Sequence, residues 1–184
     1  MSDPQRTRWS QQERSILELL DGILQSHAVR DQIQPIVRRA AQQLAAEPTS
    51  PMAFEPVPLA VYGESLPSFI LSSWVFLLRA GATTGAERHP NSHQRMVSFQ
   101  GAGDLQVGGE GRWQSNPLIS NREASVDQRW VSIPTNHWHQ AVVPDDDWVV
   151  VSFHTVSAEQ LIEERPDAAH PGLTHQRRYL GGAG

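Results

Sequence analysis

From Leu59 onward the chain is a succession of short apolar runs separated by turn residues, and this texture restricts it to a β-sandwich or barrel. Strands are expected over 68–78, 95–100, 105–107, 129–133, 138–143 and 148–156. Gly101-Ala-Gly103-Asp104, Gly108-Gly-Glu-Gly111 and Pro134-Thr-Asn136 supply turns between them. The run Trp148 to Val156 is almost wholly apolar, as expected of a strand covered on both faces.

The flanks read differently. Residues 10–46 have helical periodicity, with Ser10 and Glu13 spaced as a capping box and Pro35 marking a second helix start or a kink. Residues 47–58 hold Pro48, Pro51, Pro56 and Pro58, a density that predicts a linker or wrapping arm without a regular element. After the strands, Ser157-Ala-Glu-Gln160 predicts the cap of a short C-terminal helix stopped by Pro166, and Gly181-Gly-Ala-Gly184 an unstructured end. The organisation expected is a helical extension and linker over 1–57, a β-domain over 58–157, and a helix and tail over 158–184.

Composition removes several classes of function. A formal net charge of −5 argues against a nucleic-acid partner and a polybasic membrane patch. The chain has no cysteine, which excludes disulfides, thiolate metal sites and cysteine nucleophiles, so any metal must be held by nitrogen and oxygen. The N-terminus lacks an apolar signal core, and the apolar stretch from Phe69 to Ala80 is too short to span a membrane. A soluble cytoplasmic protein is the expectation.

Two groups of ligand-type residues stand out. Glu87, His89 and His93 lie in one polar run, and His137 and His139 lie about fifty residues later. On a strand, residues i and i+2 share a face, so Glu87 and His89 point together with Arg88 opposite. Pro90-Asn-Ser92 is a turn, after which His93 or Gln94 could return to the same point. His137 and His139 share a face too, with Trp138 opposite. Two such clusters on facing strands suit a metal ion; the alternative is a polar loop with solvated histidines.

The spacing of these residues resembles the two motifs of the cupin superfamily. Gly81, five residues, Glu87-Arg-His89, four residues, Gln94, six residues and Gly101 follow the first motif, with Glu87 and Gln94 in place of its usual histidine and glutamate. Pro134-Thr-Asn136, two residues and His139 follow the second, with Asn136 for the usual glycine. Within that superfamily, His89-Pro-Asn-Ser-His93, Gln100-Gly101 and Val151-Ser-Phe-His154 are similar to the thiol dioxygenases, the cysteine dioxygenase-like branch. Val156 stands where that branch carries a tyrosine, and Arg79 and Arg95 are candidates for its carboxylate-binding arginine.

The resemblance implies a mainly β fold, a cupin-type jelly-roll barrel (double-stranded β-helix), with N-terminal helices and a short C-terminal helix beside it. It implies a mononuclear centre with Glu87, His89 and His139 as ligands, and His93 or Gln94 as a further ligand. Two histidines and a carboxylate suit Fe(II), with Mn, Ni or Zn as other candidates. His154 and Ser152 are the candidate catalytic pair, with a core histidine bonded to Ser152 as the alternative. The function expected is an Fe(II)-dependent oxygenase acting on a small organic substrate with O₂. A non-redox metal-dependent isomerase, lyase or hydrolase, and a non-catalytic small-molecule-binding cupin, are the alternatives. A homodimer through the sheet edge or the helices is a further expectation.

Overall fold

The computed structural model describes residues 9–109 and 112–180. The expected Gly-rich end, 181–184, lies outside the described residues. Two helices open the chain, α1 (Gln11–Gln25) and α2 (His27–Ala46). The Ser10 hydroxyl caps α1 by accepting from the Glu13 N–H at 3.1 Å. The reciprocal half of the capping box does not form, because the Glu13 carboxylate reaches across to Arg95 instead. The helices part at Ser26, whose backbone is extended, and Pro35 lies inside α2 rather than at its start.

The strands, in chain order, are β1 (Met52–Pro56), β2 (Ser72–Leu78), β3 (Gln94–Gln100), β4 (Ala102–Gly109), β5 (Arg112–Gln114), β6 (Pro117–Ile119), β7 (Trp130–Ile133), β8 (Trp138–Val142), β9 (Trp148–His154), β10 (Ile162–Pro166) and β11 (Thr174–Arg178). A short helix, α3 (Val126–Arg129), precedes β7. One sheet runs β1-β2-β9-β3-β7; in the second, β4 pairs with β5, β6 and β8. Packed face to face, they form the expected jelly roll, although they are not hydrogen-bonded into one closed barrel.

The five-stranded sheet is buried on both faces, which explains its continuous apolar strands. Val75, Leu77, Val149, Val151 and Phe153 pack under α1 and α2. Trp74, Phe76, Leu78, Trp148 and Val150 point to the second sheet. The alternation along β2 and β9 therefore sorts two apolar cores onto one sheet.

Two sequence expectations are corrected. The proline-rich segment holds a regular element, β1. It survives because it is an edge strand with Pro51 just before it and Pro56 at its end, where a missing N–H costs little. The C-terminal helix is absent: Ser157 starts a single turn, and the chain then extends as β10 against β11. Helical propensity is overridden there by tertiary burial of Leu161, Glu163 and Glu164, with both glutamates paired to arginines. Among the described residues no helix is long and apolar enough to cross a membrane.

Two ion pairs fasten α1 to the sheet. Asp21 accepts from Arg129 Nη1 and Nη2 at 2.5 and 2.6 Å and from the Trp130 indole at 2.8 Å, all buried. Glu13 accepts from Arg95 Nε and Nη2, each at 2.7 Å, and from Ser132 at 2.6 Å. Asp21→Ala strands a buried guanidinium and is expected to cost about 3–5 kcal/mol in denaturant unfolding. Burial alone would raise the Glu13 pKa, but the bonds from Arg95 and Ser132 hold it below the ordinary 4.5. Its contribution to stability is therefore fully present above about pH 4.5 and is lost as the pH falls through the lowered value. Glu13→Gln is expected to lower stability at neutral pH and to flatten that acid limb in unfolding curves measured against pH.

Candidate metal centre

Residues 82–89 leave β2 and run beside β8 without forming a continuous strand. Glu87 and His139 exchange backbone bonds, Glu87 N–H to His139 O at 2.9 Å and His139 N–H to Glu87 O at 2.8 Å. This pairing places their side chains on one face of the interior, with His89 two residues on. Left-handed backbone at Gly81 (φ 73°), Gly101 (φ 83°) and Asn136 (φ 67°) makes the turns at both ends of the motifs. The first two positions suit glycine, and asparagine is the side chain that best tolerates the third.

Ligand atoms of Glu87, His89 and His139 all lie within 4.8 Å of one another, and all three residues are buried. His89 Nδ1 is 2.8 Å from Ile162 O and His139 Nδ1 is 3.2 Å from His137 O, so each ring donates from Nδ1 and leaves Nε2 as a lone pair. His139 Nε2 has no hydrogen-bond partner. It faces Glu87 Oε1 at 3.4 Å, within ion-pair distance but without hydrogen-bond geometry. Two lone-pair atoms facing each other out of water need a cation or a proton between them. A metal ion fits this donor set.

The electrostatics agree. Burial would raise the Glu87 pKa, yet the His139 ring in contact with it, the neighbouring His89 and the Arg165 guanidinium bring it down to about 2, so it is a carboxylate. Burial, reinforced by His139, lowers the His89 pKa and keeps that ring neutral. Arg165 binds the second oxygen of Glu87, leaving Oε1 turned toward the histidines.

A cavity of about 20 Å³ adjoins the centre, room for one water or ion, and is lined by Glu87, His139, Gln94, Thr84 and apolar side chains. Gln94 is 2% exposed and its Oε1 has no partner. Of the two residues that could add a ligand, Gln94 is thus the one facing the centre. His93 is not: its Nε2 is 2.7 Å from Ser132 and 3.6 Å from Glu13, beyond the opposite face of the sheet.

His154 and Ser152 are buried on the inner face of β9. His154 Nε2 is 3.2 Å from Ser152 Oγ and its Nδ1 is 3.3 Å from Ser92 Oγ. Burial, with His89 and His139 nearby, drives its pKa well below the ordinary value, so the ring is neutral. Its centroid lies 5.1 Å from that of His89, edge to face. With both nitrogens engaged and neither residue lining the cavity, this geometry suits support of His89 rather than proton transfer. His137 is exposed at the rim. Neither candidate arginine reaches the centre: Arg79 bonds the carbonyls of Leu44, Glu47 and Ser50, and Arg95 binds Glu13.

The residues that sequence reasoning missed come from the C-terminal hairpin. Glu163 Oε1 accepts from Arg165 Nε at 2.6 Å and Arg177 Nε at 2.9 Å, while its Oε2 is buried without a partner. The Tyr179 ring sits 6.0 Å from His89 and 5.2 Å from Trp74, and its hydroxyl is buried and unpartnered. Burial, then the charges of Glu87 and Glu163, push the Tyr179 pKa well above its ordinary value. The one sequence signal for this segment was its alternation of charge, Glu163, Glu164, Arg165.

No family model matches the sequence, and no curated protein does. Solved structures of the cupin fold overlap part of the chain. The coconut allergen cocosin has 16% identity and a TM-score of 0.47, covering 62% of this chain and 28% of that one. Oxalate oxidase in complex with the substrate analogue glycolate has 15% identity and a TM-score of 0.42, covering 57% and 51%. KdgF from Halomonas sp. has 17% identity and a TM-score of 0.42, covering 58% and 80%. The chain thus spans under a third of the length of cocosin, and the likeness is one of fold.

Glu87→Ala and His139→Ala are each expected to lose most bound metal by elemental analysis while retaining β-sheet circular dichroism. His93→Ala is expected to keep the wild-type metal content. Metal retained in the first two, or lost in the third, would overturn the ligand assignment.

Proposed function

We propose that this chain is a cupin-type mononuclear metalloenzyme in which Glu87, His89 and His139 hold one divalent ion and Gln94 adds a fourth donor through its amide oxygen. The observation that carries this reading is the buried, unpartnered His139 Nε2 aimed at Glu87 Oε1. Two imidazoles and one carboxylate are the set that suits Fe(II), which when bound offers open positions for a substrate and O₂. The reaction class proposed is therefore oxygenation of a small organic molecule.

The chain's own residues have separable roles. The carbonyls of Ile162 and His137 fix the tautomers of His89 and His139. Arg165 orients Glu87 and, through Glu163, ties it to the C-terminal hairpin. That hairpin and the Phe54–Trp74–Phe76–Tyr179 aromatic cluster exclude water from one side of the centre. The Tyr179 hydroxyl, buried and unpartnered on a ring that packs against His89, is the O–H group proposed to move a proton there. That phenol favours the second reading, a non-redox isomerase or lyase in which the ion acts as a Lewis acid and a side chain moves the proton.

The test is anaerobic reconstitution with Fe(II), Mn(II), Ni(II) or Zn(II), then oxygen uptake across a panel of small organic acids, thiols and sugars. Uptake with the Fe(II) form alone is expected. Turnover with Zn(II) or Ni(II) and no oxygen uptake would replace the leading reading with the second.

A further inference from the structure

A second cavity, of about 440 Å³ and without a wall from the triad, lies in the gap between β7, the edge of the five-stranded sheet, and the β4–β5 arm. The start of α1 roofs it. Trp9, Glu13, His93, Val107, Ser132 and His137 are among its walls, and Glu87, His89 and His139 are not. Its volume is that of small-molecule sites.

A bonded chain in its wall defines what it can recognise. Glu13 is ionised and saturated by Arg95, so Ser132, 2.6 Å away, donates to it. Ser132 in turn accepts from His93 Nε2 at 2.7 Å. His93 is therefore protonated on Nε2 and presents Nδ1 as an acceptor. His137 Nδ1 bonds Thr135 O at 3.1 Å, which leaves its Nε2 as a second acceptor.

Charge narrows the ligand further. Glu13 is the single Asp, Glu, Lys or Arg in the lining, and Arg95 already pairs with it. Arg14, whose guanidinium lies 5.7 Å over the Trp9 ring, is bonded to Asp127, so an anion would find no unpaired cation here, and a cation no unpaired carboxylate. What remains is imidazole acceptors beside the flat apolar face of Trp9, which suits hydroxyl donors on a molecule with an apolar face.

We propose that this cavity binds a neutral polyhydroxylated molecule, a sugar or polyol, through His93 Nδ1, His137 Nε2 and the Trp9 ring. The site does not depend on the metal reading. It does adjoin the centre, because Val107 in its wall is the cross-strand partner of His139.

The test is calorimetric titration of the full chain, before and after treatment with chelator, with D-glucose, D-mannose and sorbitol, against gluconate, glucose 6-phosphate and glucosamine. At least one neutral probe is expected to bind with Kd on the order of 1 mM and about tenfold more tightly than any charged one, with or without metal. Trp9→Ala and His93→Leu are expected to weaken it about tenfold, and His93→Gln, which keeps an acceptor, to retain most of it. No saturable binding of a neutral probe, a preference for a charged one, or undiminished binding in Trp9→Ala and His93→Leu would overturn the proposal. Thermal melts of each variant separate lost binding from lost folding.

Discussion

The burial of one sheet on both faces governs this molecule. Because α1 and α2 cover one side and the second sheet the other, nearly every residue of β2, β3 and β9 is buried. Polar residues there must be bonded within the protein. The inner face nevertheless turns polar at one end. Along β9 it reads Trp148, Val150, Ser152, His154; along β2, read backwards, Leu78, Phe76, Trp74, Ser72; along β3, Met96 gives way to Gln94. The register aligns these changes, with His154 opposite both Ser72 and Gln94. The triad sits at this polar end, where its buried neighbours can be satisfied by one another.

Burying two glutamates there requires compensation. Glu87 and Glu163 are matched by Arg165 and Arg177, with Arg165 bridging both carboxylates. The balance closes in net charge and fails atom by atom. On the inner face, His139 Nε2, Gln94 Oε1, Glu163 Oε2, the Trp74 indole nitrogen and the Tyr179 hydroxyl remain without partners. Three of these five are acceptors in the tautomer that His139 adopts, against the donors of Trp74 and Tyr179. An excess of buried acceptors is what a cation site offers, and a purely structural polar core would have evolved donors against them.

How much of this was legible depended on how local the cause was. The long strands and the turns followed from alternation and turn residues, the grouping of Glu87, His89 and His139 from the resemblance to the cupin motifs, and the left-handed Asn136 from the tolerance of asparagine for that backbone; the short strands β1, β5 and β6 were not expected. The hairpin β10–β11 was not legible, because its cause is non-local: Glu163 and Glu164 pair with arginines, and Arg88 bonds β10 from more than seventy residues away. Without those partners, Ser157 to Glu164 carries an ordinary helix-cap pattern. Arg165 and Tyr179 were hidden for the same reason. The capping box failed in its second half because Arg95, across the structure, outcompetes a local amide for Glu13.

The displacement of His93 has a simpler geometric origin. At Glu87 and His89 the odd-numbered residues face the interior. Pro90, Asn91 and Ser92 then turn the chain, and a turn does not conserve strand parity. When β3 begins, Gln94 and Met96 face inward, while His93 and Arg95 face the helices. A one-residue change of parity moves a side chain to the other face of a sheet. One polar run therefore furnishes two sites: Glu87, His89 and Gln94 to the metal centre, His93 and Arg95 to the wall beneath α1. The glutamine at the fourth-ligand position and the histidine just before it are not alternatives for one role, because the sheet separates them.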